Sequence, residues 1–111
     1  MGGNGTDEHT RFAIERLLAP GDGWRALVRE LVARCPDDDP LDLVLALIDA
    51  AAAIESNFGP GSHAHEAVAH GYRCAALLAL DLAVMQRLGR RCGKASDLSA
   101  YWQTDPYFLH L

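Results

Sequence analysis

The fold is decided by the stretch "PLDLVLALIDAAAAIESNFGPGSHAHEAVAHGYRCAALLALDLAVM", Pro40 to Met85. On both sides of the Gly-Pro-Gly sequence at 59–61, apolar residues recur with the 3.6-residue period of an α-helix. Gly-Pro-Gly ends a helix, and Ser62 can cap the next one. A short turn between two long helices predicts antiparallel packing, so we expect a helical hairpin at the centre of the fold.

The first helix of this hairpin, the third in the chain, begins at a strong capping sequence. Asp39 suits the N-cap, Pro40 the first helical position and Asp42 the third. The side opposite the apolar stripe is marked every seven residues by Asp42, Asp49 and Ser56. The stripe itself is predicted from Leu41, Val44, Leu45, Ile48, Ala52 and Phe58.

The register of the hairpin gives Gly71 a structural role. In an antiparallel pair, residues whose numbers sum to about 120 lie opposite each other, which places Gly71 beside the small residues Ala50–Ala53. A glycine inside a helix costs about 1 kcal/mol relative to alanine. We therefore expect Gly71 to allow close approach of the two backbones.

Three further helices complete the prediction. The first starts at Thr6 or Asp7, the second starts after Asp22 and stops at Pro36, and a short fifth starts after Ser96. The predicted fold is all-α: a four-helix bundle plus a short C-terminal helix, with the antiparallel helix 3–helix 4 hairpin at its centre. We expect one domain, 1–111, with a flexible tail at 1–6 and an extended aromatic tail at 104–111.

Composition restricts the function classes. The net charge is −5, which makes nucleic-acid binding unlikely because phosphate neutralisation needs Lys and Arg. The longest apolar run, Ala75–Met85, contains Asp81 and is shorter than the ~20 residues that cross a bilayer, so we expect no membrane association. The N-terminus lacks the features of a secretion signal. Three cysteines without a CxxC pair favour reduced thiols in a cytoplasm, and nine Arg against one Lys favour a GC-rich bacterial genome.

The sequence "HAHEAVAH", 63–70, raises the question of a metal site. His63, Glu66 and His70 fall on one side of a helix, and the hairpin register brings Asp49 and Glu55 near them. Imidazole and carboxylate groups can bind zinc or iron. However, di-iron bundles use Glu-x-x-His pairs, whereas this chain has one His-x-x-Glu at an exposed helix start. We expect no cofactor, and keep zinc or iron at these five residues as the alternative.

Two other features carry chemistry. Asp81 lies within "LLALDLAVM" and should be buried and paired, with Arg25, Arg29 or an aromatic hydroxyl as partner. Cys35 and Cys92 each follow a helix end and can approach each other. Without CxxC or an adjacent histidine, we expect each to act as a small apolar residue.

The candidate interface lies at the end of the fourth helix and in the aromatic C-terminus. These residues can pack within the subunit, across a homodimer or on an unidentified protein partner. The sequence therefore predicts a non-catalytic interaction or regulatory homodimer, and the alternative is a metal- or small-ligand-binding bundle, possibly enzymatic, that uses the His63/Glu66/His70 side. The predicted interface anchors are Val84, Met85, Leu88, Tyr101, Trp102, Tyr107 and Phe108.

Overall fold

The computed structural model describes residues 3–58 and 64–104, and the side chains of residues 7–58 and 64–103. These ranges consist of helices joined by turns and contain no strand, which confirms the predicted all-α class. A 3₁₀ turn, Gly23–Ala26, precedes the second helix. The five α-helices are α1 (Gly3–Leu18), α2 (Leu27–Arg34), α3 (Pro40–Asn57), α4 (Ala64–Arg87) and α5 (Ala95–Thr104).

The α3–α4 hairpin is the centre of the fold, as predicted. Asp39 caps α3 by accepting a hydrogen bond from the Leu41 backbone N–H at 2.9 Å. A Cβ atom added to Gly71 would lie 2.9 Å from the Cβ of Ala51 and 3.1 Å from Leu17 Cδ1. The predicted close approach at Gly71 is thus confirmed, and the pair Ala51–Gly71 sets a register in which opposing residue numbers sum to about 122.

The remaining helices cover one side of this hairpin. α1 packs across both α3 and α4, while α2 and α5 pack together against the second half of α4. The shortest dimension of the molecule is 20 Å, which is the thickness of about two helices. The fold is therefore two layers deep, and none of the described helices covers the other side of the hairpin.

Several helix boundaries differ from the prediction. α1 begins at Gly3, so the helix starts earlier than the predicted Thr6 or Asp7 and includes residues 3–6 of the expected N-terminal tail at 1–6. α4 ends at Arg87, and Gly89, with φ +71°, lets the Arg90 N–H reach the Met85 carbonyl at 2.9 Å. The predicted cap Ser62 and the tail residues 105–111 lie outside the described residues.

The buried side of α3 is the main correction. Of the predicted stripe, Val44 is in the core, whereas Leu41, Leu45, Ile48 and Phe58 are all exposed. The sequence pattern misled because α3 is apolar on two sides, and α1 and α4 bury the other one. That buried side consists of Leu43, Val44, Ala46, Leu47, Ala50, Ala51 and Ile54.

Candidate functional site

An exposed apolar surface runs along the uncovered side of the hairpin. On α3, Leu41, Leu45 and Ile48 are 55, 47 and 38 % exposed. On α4, Tyr72 and Leu80 are 38 and 48 % exposed, and Ala76 lies between them at the same helical spacing. We call this surface the outer face, and its six residues are Leu41, Leu45, Ile48, Tyr72, Ala76 and Leu80.

The outer face is a continuous strip because both helices present it in the same direction. Residues spaced by three or four lie on one side of a helix, and the two antiparallel helices turn these sides away from α1, α2 and α5. Single exposed apolar residues are ordinary, whereas contiguous apolar patches larger than roughly a few hundred Å² are typical of interaction surfaces. The outer face groups five large exposed apolar side chains, which makes it a candidate for such a surface.

Charged residues border the outer face asymmetrically. The α3 edge is acidic, with Asp42 and Asp49 exposed, and the α4 edge carries exposed Arg73. In the register set by Ala51 and Gly71, Asp49 and Arg73 lie at the same height along the hairpin, on opposite edges. Neither forms an ion pair with any other residue in the described ranges.

The predicted interface anchors divide into two groups. Met85, Tyr101 and Trp102 are 0, 3 and 5 % exposed, so they belong to the core of their own chain and present no surface to a second subunit. They pack within the subunit because α5 folds back over the C-terminal part of α4, whose residues after about 82 lie beyond the start of α3. Val84 is half-buried and Leu88 is exposed, while Tyr107 and Phe108 lie outside the described residues.

Asp81 is buried, as predicted, with 3 % exposure. Its Oδ2 accepts a hydrogen bond from the indole Nε1–H of Trp102 at 2.8 Å. The indole N–H of Trp102 is thus one partner of this carboxylate. This bond fixes α5 on α4, since a buried carboxylate without donors would be strongly destabilising.

The four described residues of the predicted metal site do not converge. His70 stacks on Trp24 with ring centroids 4.0 Å apart, on the side of α4 that faces the 3₁₀ turn. Glu55 instead accepts a hydrogen bond from the Tyr72 hydroxyl at 3.1 Å. Glu66 and Asp49 are exposed, and no three of the four described members bring ligand atoms within 4.8 Å of one another. His63 lies outside the described residues.

A half-open cavity of about 350 Å³ lies at the end of the hairpin where α3 and α4 meet. Its polar groups are Glu55, His65 and the Tyr72 hydroxyl, and the hydrogen bond between Tyr72 and Glu55 crosses it. Desolvation, that hydrogen bond and the charge of Glu55 together raise the pKa of Tyr72. The apolar lining residues are Ile54, Phe58, Ala64, Val68 and Ala69.

The three cysteines are free thiols. Burial raises the pKa of Cys74 to about 11, and burial together with the Asp38 carboxylate raises the pKa of Cys35 to about 11. The Cys35 thiol donates to the Leu31 carbonyl at 2.8 Å. Both groups are therefore protonated at neutral pH, and neither has the thiolate character that a nucleophile requires.

By length and composition, α4 is also long and apolar enough to cross a membrane, whereas no such span was expected from the sequence. In its most apolar 18-residue segment, 33 % of the residues are buried in the fold. Core helices of water-soluble proteins satisfy the same criteria. The buried Asp81 and the close packing at Gly71 are features of such a core helix.

No protein-family model, no curated protein and no solved structure matches this chain. Its function must be inferred from the chemistry of these surfaces.

Proposed function

We propose that the protein is a non-catalytic interaction protein of the cytoplasm that acts as a homodimer, with the outer face as the dimer interface. The observation that supports this proposal is the exposure of Leu41, Leu45, Ile48 and Leu80 on one continuous apolar strip. The three free thiols fit a reducing compartment. A net charge of −5 gives no attraction for nucleic acid or for an anionic membrane surface.

The bordering charges favour a second copy of this chain as the occupant. Consider a two-fold axis that runs parallel to the helices, in the plane between two outer faces. It stacks α3 of one copy on α4 of the other and keeps every residue at its own height. Asp49 of one copy then lies beside Arg73 of the other, and the same contact forms twice.

The other face-to-face two-fold axis runs across the helices and produces the opposite charge pattern. If it crosses α3 near Leu45, it stacks α3 on α3 in antiparallel fashion and brings Asp42 of each copy close to Asp49 of the other. Like charges in an interface are unfavourable. The charge distribution therefore favours the parallel axis. Exposed ion pairs contribute only about 0–1 kcal/mol, so the apolar strip would supply most of the affinity.

The test is sedimentation velocity or light scattering over a concentration series, with Leu45→Lys as the main variant. Leu45 is 47 % exposed, so dimerisation buries about half a leucine side chain, or about 1 kcal/mol per copy and about 2 kcal/mol for the symmetric pair. That loss alone weakens the dimer about thirtyfold, and desolvating the lysine weakens it further. Ala33→Lys is the matched control, since Ala33 is exposed on α2, outside the outer face.

Charge-swap variants test the orientation of the two copies. Asp49→Arg or Arg73→Asp alone should weaken the dimer, and the double variant should restore it. A wild-type protein that stays monomeric at all concentrations would refute the proposal. A dimer that Leu88→Lys dissociates and Leu45→Lys does not would place the interface at the end of α4 instead.

Small-ligand binding at the hairpin cavity is the second candidate function. The cavity of about 350 Å³ falls within the size range of ligand pockets, and it combines an apolar lining with three polar groups. Binding of the amphiphile 1-anilinonaphthalene-8-sulfonate, followed by fluorescence, provides a test. Val68→Trp should fill the cavity and abolish binding without changing the oligomeric state; fluorescence that persists in this variant would argue against the cavity as a ligand site.

A further inference from the structure

A second cluster of functional groups lies at the end of the molecule where α2 ends and α3 begins. His9 on α1, Cys35 after α2 and Asp38 in the following turn bring an imidazole nitrogen, a sulfur and a carboxylate oxygen together. Each of these atoms lies within 4.8 Å of the other two. His9 Nε2 is 2.8 Å from Asp38 Oδ2. The proposed dimer interface uses none of these residues.

We propose that His9, Cys35 and Asp38 bind a zinc ion, with a water molecule as the fourth ligand. Zinc takes nitrogen, sulfur and oxygen ligands at about 2.0–2.3 Å in tetrahedral geometry, and open zinc sites have three protein ligands and one water. Tetrahedral ligands at such distances are about 3.3–3.8 Å apart. To reach coordinating geometry, the His9–Asp38 distance of 2.8 Å needs to lengthen by about 0.5 Å, and the two distances to the Cys35 sulfur, each within 4.8 Å, need to shorten by about 1.5 Å or less.

The burial of the three side chains fits such a site. The His9 side chain is 12 % exposed and Cys35 is 9 % exposed, whereas the Asp38 side chain is 44 % exposed. The ion would thus reach the site past Asp38, and solvent at the same opening would supply the water ligand. Two ligands are enclosed by protein, which is what distinguishes this group from a surface carboxylate cluster.

The backbone already holds the ligands in place. The Asp38 N–H donates to the Cys35 carbonyl at 3.2 Å, and the Asp38 carbonyl accepts from the Ala95 N–H of α5 at 2.8 Å. On binding, a zinc–sulfur bond forms, the Cys35 thiol proton leaves to solvent, and the thiol gives up its hydrogen bond to the Leu31 carbonyl. No electron transfer is involved. The ion would tie α1 to the end of α2 and to the turn that anchors α5.

The site is tested with tag-free protein stripped of metal, titrated with Zn²⁺ by calorimetry and with Co²⁺ by absorption spectroscopy. We expect one ion per chain, a rise in melting temperature on adding Zn²⁺, and a near-ultraviolet thiolate-to-cobalt charge-transfer band. Cys35→Ser should abolish that band and weaken binding at least tenfold. Cys92→Ser is the matched control and should keep both, because Cys92 is a half-buried cysteine outside the group.

His9→Gln and Asp38→Asn separate coordination from folding. Each should weaken Zn²⁺ binding at least tenfold while the far-ultraviolet circular dichroism is unchanged and, at saturating Co²⁺, the charge-transfer band remains. If Cys35→Ser fails to fold, the zinc affinities of His9→Gln and Asp38→Asn relative to wild type still test whether these residues coordinate the ion. Absence of stoichiometric binding, or a band that Cys92→Ser removes and Cys35→Ser does not, overturns the proposal. The site requires no second subunit, so its outcome is independent of the dimer test.

Discussion

The hydrogen bond between Trp102 and Asp81 can be removed with little change in shape. Trp102→Phe keeps an aromatic ring in the core between α4 and α5 and deletes the indole N–H that donates to Asp81 Oδ2 at 2.8 Å. The carboxylate is 3 % exposed, so water has little access to replace the lost donor. We expect the variant to fold and to be clearly less stable than the wild type.

The expected loss follows from the burial of both groups. Removing one partner of a buried hydrogen bond costs about 1–3 kcal/mol, and more when the group left behind is charged. An unfolding entropy of about 2.1 cal/mol/K per residue gives about 0.23 kcal/mol/K for 111 residues. A loss of about 2 kcal/mol therefore lowers the melting temperature by about 9 °C.

A double-mutant cycle separates this bond from loss of packing. Urea unfolding is measured at one fixed protein concentration for wild type, Trp102→Phe, Asp81→Leu and the double variant. Because replacing both partners by apolar groups removes the carboxylate together with the indole donor, the double variant should be more stable than the sum of the single losses by about 1–2 kcal/mol. Additive losses, or a Trp102→Phe melt within 2 °C of wild type, would refute the reasoning; that 2 °C limit is about 0.5 kcal/mol.

Two further predictions concern the centre of the hairpin. Gly71→Ala should destabilise the protein although alanine favours helix, because the added Cβ would lie 2.9 Å from the Cβ of Ala51, and overpacking costs about 1–3 kcal/mol. Adding Ala51→Gly should recover most of the lost stability in thermal unfolding. If the double variant shows no recovery, the contact with Ala51 is not the cause of the loss. In the folded protein the pKa of Cys74 is raised from 9.0 to about 11. The protonated thiol therefore contributes at most about 2.7 kcal/mol to the free energy of unfolding, and this contribution is complete below pH 9 and lost as the pH rises through 11. Urea unfolding of Cys74→Ala should therefore depend less on pH between 9 and 11 than that of wild type, and equal slopes would contradict this.

The parts of the fold that the sequence predicted correctly depend on local signals. Asp39 and Pro40 mark a helix start whatever the rest of the chain does. The placement of Gly71 beside the small residues Ala50–Ala53 follows from a turn of known length and a 1.5 Å rise per residue. Such features involve neighbours in sequence or in one hairpin, so they can be read without knowing where the other helices pack.

The choice of the buried side of α3 could not be made in that way. Leu45 and Leu47 are equally apolar, and only the positions of α1 and α4 decide that Leu47 is buried and Leu45 exposed. A helix that is apolar on two sides carries no periodic signal for which side faces inward. The same two-sidedness, once recognised, points to the outer face as an interaction surface.

The His9, Cys35 and Asp38 group was missed for a different reason. His9 is 29 residues from Asp38 in sequence, and no spacing motif connects the two. The packing of α1 against the end of α2 brings them together, and this is a tertiary contact that periodicity does not report. Sequence spacing instead indicates "HAHEAVAH", where histidines are close along the chain but the described ligand atoms do not meet.

The small thickness of the molecule also determines how much of its surface is exposed to water per residue. One copy is a slab of 42 × 35 × 20 Å, and a slab exposes more area per unit volume than a rounded body of the same mass. Two slabs stacked through their outer faces would be about 40 Å thick, close to the 42 Å length of one copy. The pair would then be nearly equal in all three dimensions. Stacking would thus reduce the area in contact with water per residue without any change in the fold of either chain.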